Sequence, residues 1–293
     1  MLKIGRFFLI PILALVTYSG YAFAQRSDEF SQKILSLKWI AYSPTNCDPT
    51  NNNFPSEDTI RQDLELLYSA GFNGIVTYSS YSTFAEIPRI AQKIGFGGVI
   101  MGIWDIESSE EMENAYLASQ YVDGYCAGNE GLNCRYGMET LINAIETLKN
   151  STNKPVTTTE QIFDYYNDEV LAIGDWIFPN IHPFLCDVKD PEKAAQWIQK
   201  HYEILKRHAG TKLIIFKEVG YPTAGAREAT PANQEEFFRV FETKGVPFIY
   251  FEGFDQYWKT DLPVEPHWGL FDSRRKPKKY IKPFIRNNLE GEQ

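Results

Sequence analysis

Asp123-Gly124-Tyr125-Cys126-Ala127-Gly128-Asn129-Glu130 is a short apolar run that ends in an acid. Lys212-Leu213-Ile214-Ile215-Phe216-Lys217-Glu218 repeats the pattern further along the chain. Mostly continuous apolar or β-branched runs of this length suit parallel strands buried on both faces. Six more fall at 37–42, 74–78, 98–105, 155–160, 176–182 and 246–254. Longer stretches with helical spacing separate them. The first is capped by Ser56 with Thr59, repeats Ile60, Leu64, Leu67 and Tyr68, and stops at Gly71. The others lie at 83–94, 110–121, 138–149, 163–171, 191–208, 233–244 and 276–286. Eight strands alternating with eight helices predict an α/β fold, a (β/α)8 TIM barrel, as one domain over 25–293. A doubly wound open sheet is the alternative, but it seldom needs eight regular units in so short a chain.

Residues 1–24 read as a signal peptide: Lys3 and Arg6, an apolar core from Phe7 to Val16, then Ala22-Phe23-Ala24 before Gln25. Pro11 and the short apolar span argue against an uncleaved anchor. The mature chain is expected to be secreted or periplasmic, with no membrane span, and monomeric. The formal charge of −9 over the full 293 residues leaves no broad basic surface for phosphates, so nucleic acid is not an expected partner. An oxidising compartment makes Cys47, Cys126, Cys134 and Cys186 candidates for disulfides. Of the three connectivities, Cys126–Cys134 with Cys47–Cys186 is preferred; four free, mostly buried thiols are the alternative. The four His are scattered and no C-x-x-C occurs, so neither a metal nor a cofactor is expected.

Barrel enzymes keep their chemistry at the C-terminal ends of strands. Here the fourth run ends in Glu130, the seventh in Glu218 and the fifth in Glu160, while the eighth carries Glu252. An acid at a barrel mouth is costly to bury without a partner or a task. Two carboxyl groups can flank a glycosidic bond: a separation of about 5–5.5 Å gives retention, and about 6.5–9.5 Å gives inversion. Spacing along the chain does not choose between them.

The chain resembles glycoside hydrolase family 17, the β-1,3-glucanase family, in its bacterial and fungal style. The matching segments run from Tyr42-Ser43-Pro44 through Gly102-Ile103-Trp104, Gly128-Asn129-Glu130, Thr158-Thr159-Glu160 and Asn180-Ile181-His182-Pro183. Glu218-Val219-Gly220-Tyr221-Pro222-Thr223, Phe251-Glu252-Gly253-Phe254-Asp255, Trp258-Lys259 and His267-Trp268-Gly269-Leu270-Phe271 follow. The resemblance implies a retaining hydrolase of β-1,3-glucan, with Glu130 as acid/base and Glu218 as nucleophile. Asn129 would hydrogen-bond the sugar 2-hydroxyl, and Glu252, Lys259 and Glu265 would tune the site. That chemistry requires Glu130 protonated and Glu218 ionised near neutral pH.

The chain departs from the family pattern at Tyr221, where Trp is usual, and at Val76, where many members have Arg. Ala127 replaces the usual Val, and Cys134 lies in an altered loop beside the acid. Tyr42, Tyr78 and Tyr221 are expected to contact sugar, and Glu160 to contact substrate. Core packing is the competing account of any barrel aromatic, salt-bridging support that of Glu160 and Glu252, and mutual pairing that of Lys259 and Glu265. His182, isolated at a strand end, reads as a structural histidine. Transglycosylation uses the same two acids with a sugar hydroxyl as acceptor, and a non-catalytic glucan-binding protein is the remaining alternative.

Overall fold

The apolar runs form a parallel sheet of β1 (Trp39–Ala41), β2 (Gly74–Val76), β3 (Gly98–Ile103), β4 (Gly124–Ala127), β5 (Val156–Thr157), β6 (Phe216–Val219) and β7 (Phe248–Tyr250). Their order is β5-β4-β3-β2-β1-β7-β6. The structure, a computed structural model, describes residues 29–283; the 1–24 segment expected to be a signal peptide lies outside them. Two units are distinguished. Within Met1–Ser36 a helix spans 29–36, and Leu37–Gln293 carries the sheet. Among the described residues no helix is long and apolar enough to cross a membrane.

The run at 176–182 closes the barrel without becoming a regular strand. Asn180 N–H donates to Glu160 O (2.9 Å) on one side, and Lys217 N–H donates to Pro179 O (2.9 Å) on the other. Ile177 bridges Ile214 and Asn180 bridges Glu218, both parallel. Pro179 has no N–H to give, so the ladder is interrupted at the centre of this segment. The eighth staff of the barrel is therefore present in position and incomplete in hydrogen bonding.

Seven helices, α1 (Glu57–Ser69), α2 (Ile87–Ile94), α3 (Ser109–Leu117), α4 (Met138–Thr152), α5 (Asp168–Ala172), α6 (Pro191–His208) and α7 (Pro231–Phe241), connect successive strands among the described residues. Ser56, Ser108, Asp190 and Thr230 cap α1, α3, α6 and α7 through their side-chain oxygens. The expected helix at 83–94 opens instead as a 3-10 turn over Ser82–Glu86, and α2 starts only with Pro88 in its first turn, where a missing N–H does no harm. The expected 163–171 helix is split by Asn167, which caps α5. The expected helix at 276–286 is not met over its described beginning. Pro277 bridges Phe271 and turns follow through Ile281.

Outward residues of the strands build the core. Met101, Ile103, Tyr125, Ala127 and Val156 pack with Ala115 of α3 and Leu141, Ile145 and Leu148 of α4. A fully buried Leu such as Leu141 contributes about 1.5–3 kcal/mol. Alternation along β4 turns Cys126 the other way, toward the barrel interior. That orientation overturns the preferred disulfide. All four cysteines are free. Cys126 is buried within the staves, while Cys134 is exposed on the loop above Glu130, its Sγ facing Glu130 O (3.4 Å) and Gly131 O (3.3 Å). Burial pushes the Cys126 thiol up to about 12.

Candidate active site

The end of β4 turns sharply at Gly128 (φ 78°), and Glu130 follows in the left-handed region (φ 50°). A Cβ on Gly128 would stand 1.9 Å from the Tyr136 hydroxyl oxygen, so both the backbone and the packing require glycine there. Glu130 has no such freedom, and a non-glycine residue at positive φ is uncommon. It is held by its own N–H, which donates to Thr159 O (2.9 Å). Its carboxyl Oε1 accepts from Asn180 Nδ2 (2.7 Å), and Oε2 accepts from Gln161 Nε2 (3.3 Å). Thr159 Oγ1 lies 3.0 Å from Asn180 Oδ1, which fixes the sense of the Asn180 amide.

Glu218, near the end of β6, is buried (5% exposed). Lys217 Nζ donates to its Oε1 (3.1 Å), and His182 Nε2 pairs with its Oε2 (3.1 Å). Burial works to raise its pKa. The Lys217 ammonium, the His182 contact and the Lys259 charge outweigh that and bring it down to about 2. At His182 burial works downward, and the hydrogen bond and charge of Glu218 more than offset it, leaving a net rise.

One ligand atom each of Glu130, His182 and Glu218 lies within 4.8 Å of the others. This trio could also face a cation, but the Lys217 ammonium already supplies positive charge to Glu218. The two carboxylates face each other across the floor of a cleft of about 700 Å³. Phe54, Tyr81, Trp104 and Trp258 supply much of its apolar wall, the kind of surface on which pyranose faces stack. Trp104 is 44% exposed, and the Arg135 guanidinium lies 4.4 Å from its ring centre. Arg135 also donates to Trp104 O (2.8 Å) and Asn129 O (2.6 Å), tying the loop beside Glu130 to the aromatic wall.

The expected site residues separate into two sets. Tyr42, Tyr78, Asn129, Glu130, Glu218, Lys259 and Glu265 line the cleft, although the Tyr42 hydroxyl turns away to Asp63 (3.0 Å). Glu160, Tyr221 and Glu252 are not in its wall. Glu160 lies under the loop beside Glu130 and accepts from Leu132 N–H (3.3 Å); burial raises its pKa to about 7. Tyr221 is fully buried between Phe184 and Phe237, its hydroxyl donating to Lys189 O, so it is a core residue rather than a sugar platform. Its strand end carries it toward α7, away from the barrel mouth. Glu252 is fully buried and clamped by Lys259 Nζ at 2.8 and 3.1 Å. Lys259 thus pairs with Glu252, not with Glu265.

Lys217, Gln161 and Glu111 were not singled out by the sequence; Asn180 and His182 stood there in a matching segment, His182 as a structural histidine, and the structure sets them on Glu130 and Glu218. The available signal for Lys217 was a lysine inside a strand otherwise reading as buried on both faces. Glu111 sits in the first turn of α3 and gathers two loops. Its Oε2 accepts from Ser79 Oγ (2.9 Å), Ser80 N (2.8 Å) and Trp104 N (3.0 Å), and its Oε1 from Asp105 N (3.0 Å). Glu111→Ala leaves these buried donors unpaired, a loss of about 3 kcal/mol. It should lower the melting temperature and weaken oligosaccharide binding through Trp104. Calorimetry together with KM checks both effects.

Known proteins resemble this chain throughout the barrel. The sequence pattern of the BtgE/BtgC glycoside hydrolase domain matches residues 40–269. A probable glucan endo-1,3-beta-glucosidase (btgC) of Aspergillus clavatus is 25% identical over 280 residues, covering 78% of this chain and 40% of that protein. A probable beta-glucosidase (btgE) of Neosartorya fischeri is 25% identical over 240 residues, covering 74% and 43%. The chain therefore spans about two fifths of the length of these relatives. The family 17 β-1,3-glucanosyltransferase of Rhizomucor miehei superposes with a TM-score of 0.69 at 22% identity, over 86% of this chain and 97% of that one. An endo-laminarinase from Formosa gives 0.71 at 14% identity, over 87% and 88%. These likenesses establish the barrel fold.

Proposed function

Because the chain belongs to the BtgE/BtgC glycoside hydrolase family, we propose that it is a retaining hydrolase of β-1,3-glucan. The observation that carries this reading is the approach of the Glu130 and Glu218 carboxylates, with one oxygen of each within 4.8 Å. That closeness favours direct attack by a carboxylate over attack by an interposed water. The names of the relatives support the β-1,3 linkage and the glucan substrate.

In the first step Glu218 Oε attacks the anomeric carbon and the bond from that carbon to the leaving oxygen breaks. Glu130 gives its proton to that oxygen. Oε1 of Glu130 accepts the shorter hydrogen bond, from Asn180 (2.7 Å), and Oε2 the longer one, from Gln161 (3.3 Å), so Oε2 is the oxygen assigned the proton. In the second step Glu130 takes a proton from water as the water oxygen attacks the anomeric carbon, and Glu218 leaves as carboxylate. Lys217 and His182 keep one donor on each Glu218 oxygen, so Glu218 enters the first step ionised. Asn129 meets the sugar 2-hydroxyl, and Trp104 and Tyr81 stack on neighbouring rings. Glu265 and Lys259 shape the polar side. Export through residues 1–24 and action as a monomer belong to the same reading.

Laminaripentaose, a β-1,3-linked glucose oligomer, tests it. Proton NMR during early turnover should show shorter products carrying the β-anomer first. First appearance of the α-anomer would overturn retention, and turnover of only β-1,4 oligomers would overturn the linkage. Products longer than the pentamer would assign transfer to a sugar hydroxyl in place of hydrolysis.

A further inference from the structure

Lys217 is 1% exposed, and a buried ammonium needs several partners to be tolerated. Its Nζ donates to Glu218 Oε1 (3.1 Å) and to Asn129 Oδ1, and it lies 4.2 Å from the centre of the Tyr78 ring. These contacts join the residue beside the acid, the nucleophile and a ring of the cleft wall. An ammonium has donors and no acceptor. The atom of Asn129 that faces Lys217 is therefore its carbonyl oxygen, and the amide NH2 is left as the group available to the cleft, which Asn129 lines. Ordinarily the two ends of such an amide are told apart only by their partners; here one partner decides.

We propose that Lys217 is the positioning residue of this site: it holds Glu218 as a carboxylate and turns the Asn129 NH2 toward the sugar. The second half rests on the glucanase reading, and the first does not. A substrate 2-hydroxyl oxygen then meets a donor at Asn129. Without the ammonium the amide could rotate and present its oxygen instead.

Other groups also act on Glu218. His182 contributes from the 176–182 segment and Lys259 from beyond β7, and both support the carboxylate. Glu252, Glu265, Tyr78 and Cys126 bear on the same charge, and Glu130 faces it across the cleft. Lys217 is the cation on its own strand and the one that also touches Asn129.

The test uses the full chain with 13C-labelled glutamate carboxyls, the Glu218 signal being identified by its loss in Glu218→Gln. In Lys217→Met its titration midpoint should rise by about one to three pH units, and in Lys217→Arg it should stay within about half a unit. An unmoved midpoint in Lys217→Met overturns the proposal. The wild type and both variants are also compared on an aryl β-laminaribioside and its 2-deoxy analogue. The preference for the 2-hydroxyl substrate should drop about tenfold or more in each variant, because the arginine fork cannot reproduce a point contact to both partners. Should Lys217→Met fail to fold, Lys217→Arg decides. A stable midpoint with lost 2-hydroxyl preference supports the proposal, and a shifted midpoint or full preference overturns it. A wild type that turns over neither glycoside sinks the glucanase reading, while the carboxyl titration still decides the role of Lys217.

Discussion

Glu218→Gln should lower kcat by about 10⁴-fold or more while leaving laminaritriose binding within about threefold of wild type. The substitution keeps the shape and removes the charge that attacks the anomeric carbon. It also exchanges an acceptor-only group for an amide, so one of the two donors on it, Lys217 or His182, must turn against an NH2 group. Some loss of stability is expected from that conflict, and none of it bears on binding at the aromatic wall. The measurements are steady-state turnover and calorimetric titration of the purified variant. Retained turnover would remove Glu218 as nucleophile. Laminaritriose binding with no turnover in the wild type would favour a glucan-binding protein on the same scaffold.

Glu130→Ala should show a different signature, because an acid/base acts in both steps. Turnover of laminarin should fall by about 10²–10⁴-fold. With an aryl glycoside whose leaving group needs no proton, the first step should survive and the glycosyl-enzyme should accumulate. A burst of phenol followed by a slow steady state is the expected trace. Azide, which needs no general base, should restore the second step and yield the β-glycosyl azide. An α-azide would mean direct displacement and inversion. Equal loss on activated and unactivated substrates would mean that Glu130 has no role as proton donor. The Asn180 amide that holds Glu130 Oε1 at 2.7 Å would be left facing a void in this variant, so thermal stability must be followed in parallel.

Much of the barrel was legible in the chain because burial on both faces leaves a simple mark. A parallel strand under a helix layer is a continuous apolar run; β3 and β4 lie inside such runs, and β6 overlaps its run and extends one residue beyond it, to Val219. Helix ends were legible where a side chain does the capping, as at Ser56. The failures have local causes that hydrophobic pattern does not record. Pro179 breaks the ladder of the closing segment, Asn167 starts a new helix inside an apparent one, and Pro277 joins Phe271 in a bridge. Cys126 and Cys134 are near in sequence, yet the alternation of β4 sends one thiol inward.

The sequence by itself determined that acids would stand at strand ends, since a run of apolar residues followed by Gly128-Asn129-Glu130 has few other ways to fold. It also determined the layering of strands and helices, because apolar surface must be buried wherever it recurs. Only the tertiary structure decided what surrounds those acids. Lys217, Asn180 and His182 reach them from other staves or from the same strand, where the register shifts between Phe216 and Val219, and Tyr221 and Glu160 are buried outside the cleft wall. The charge state of a carboxyl depends on distances between groups remote in the chain, and electrostatic forces act through space rather than along sequence.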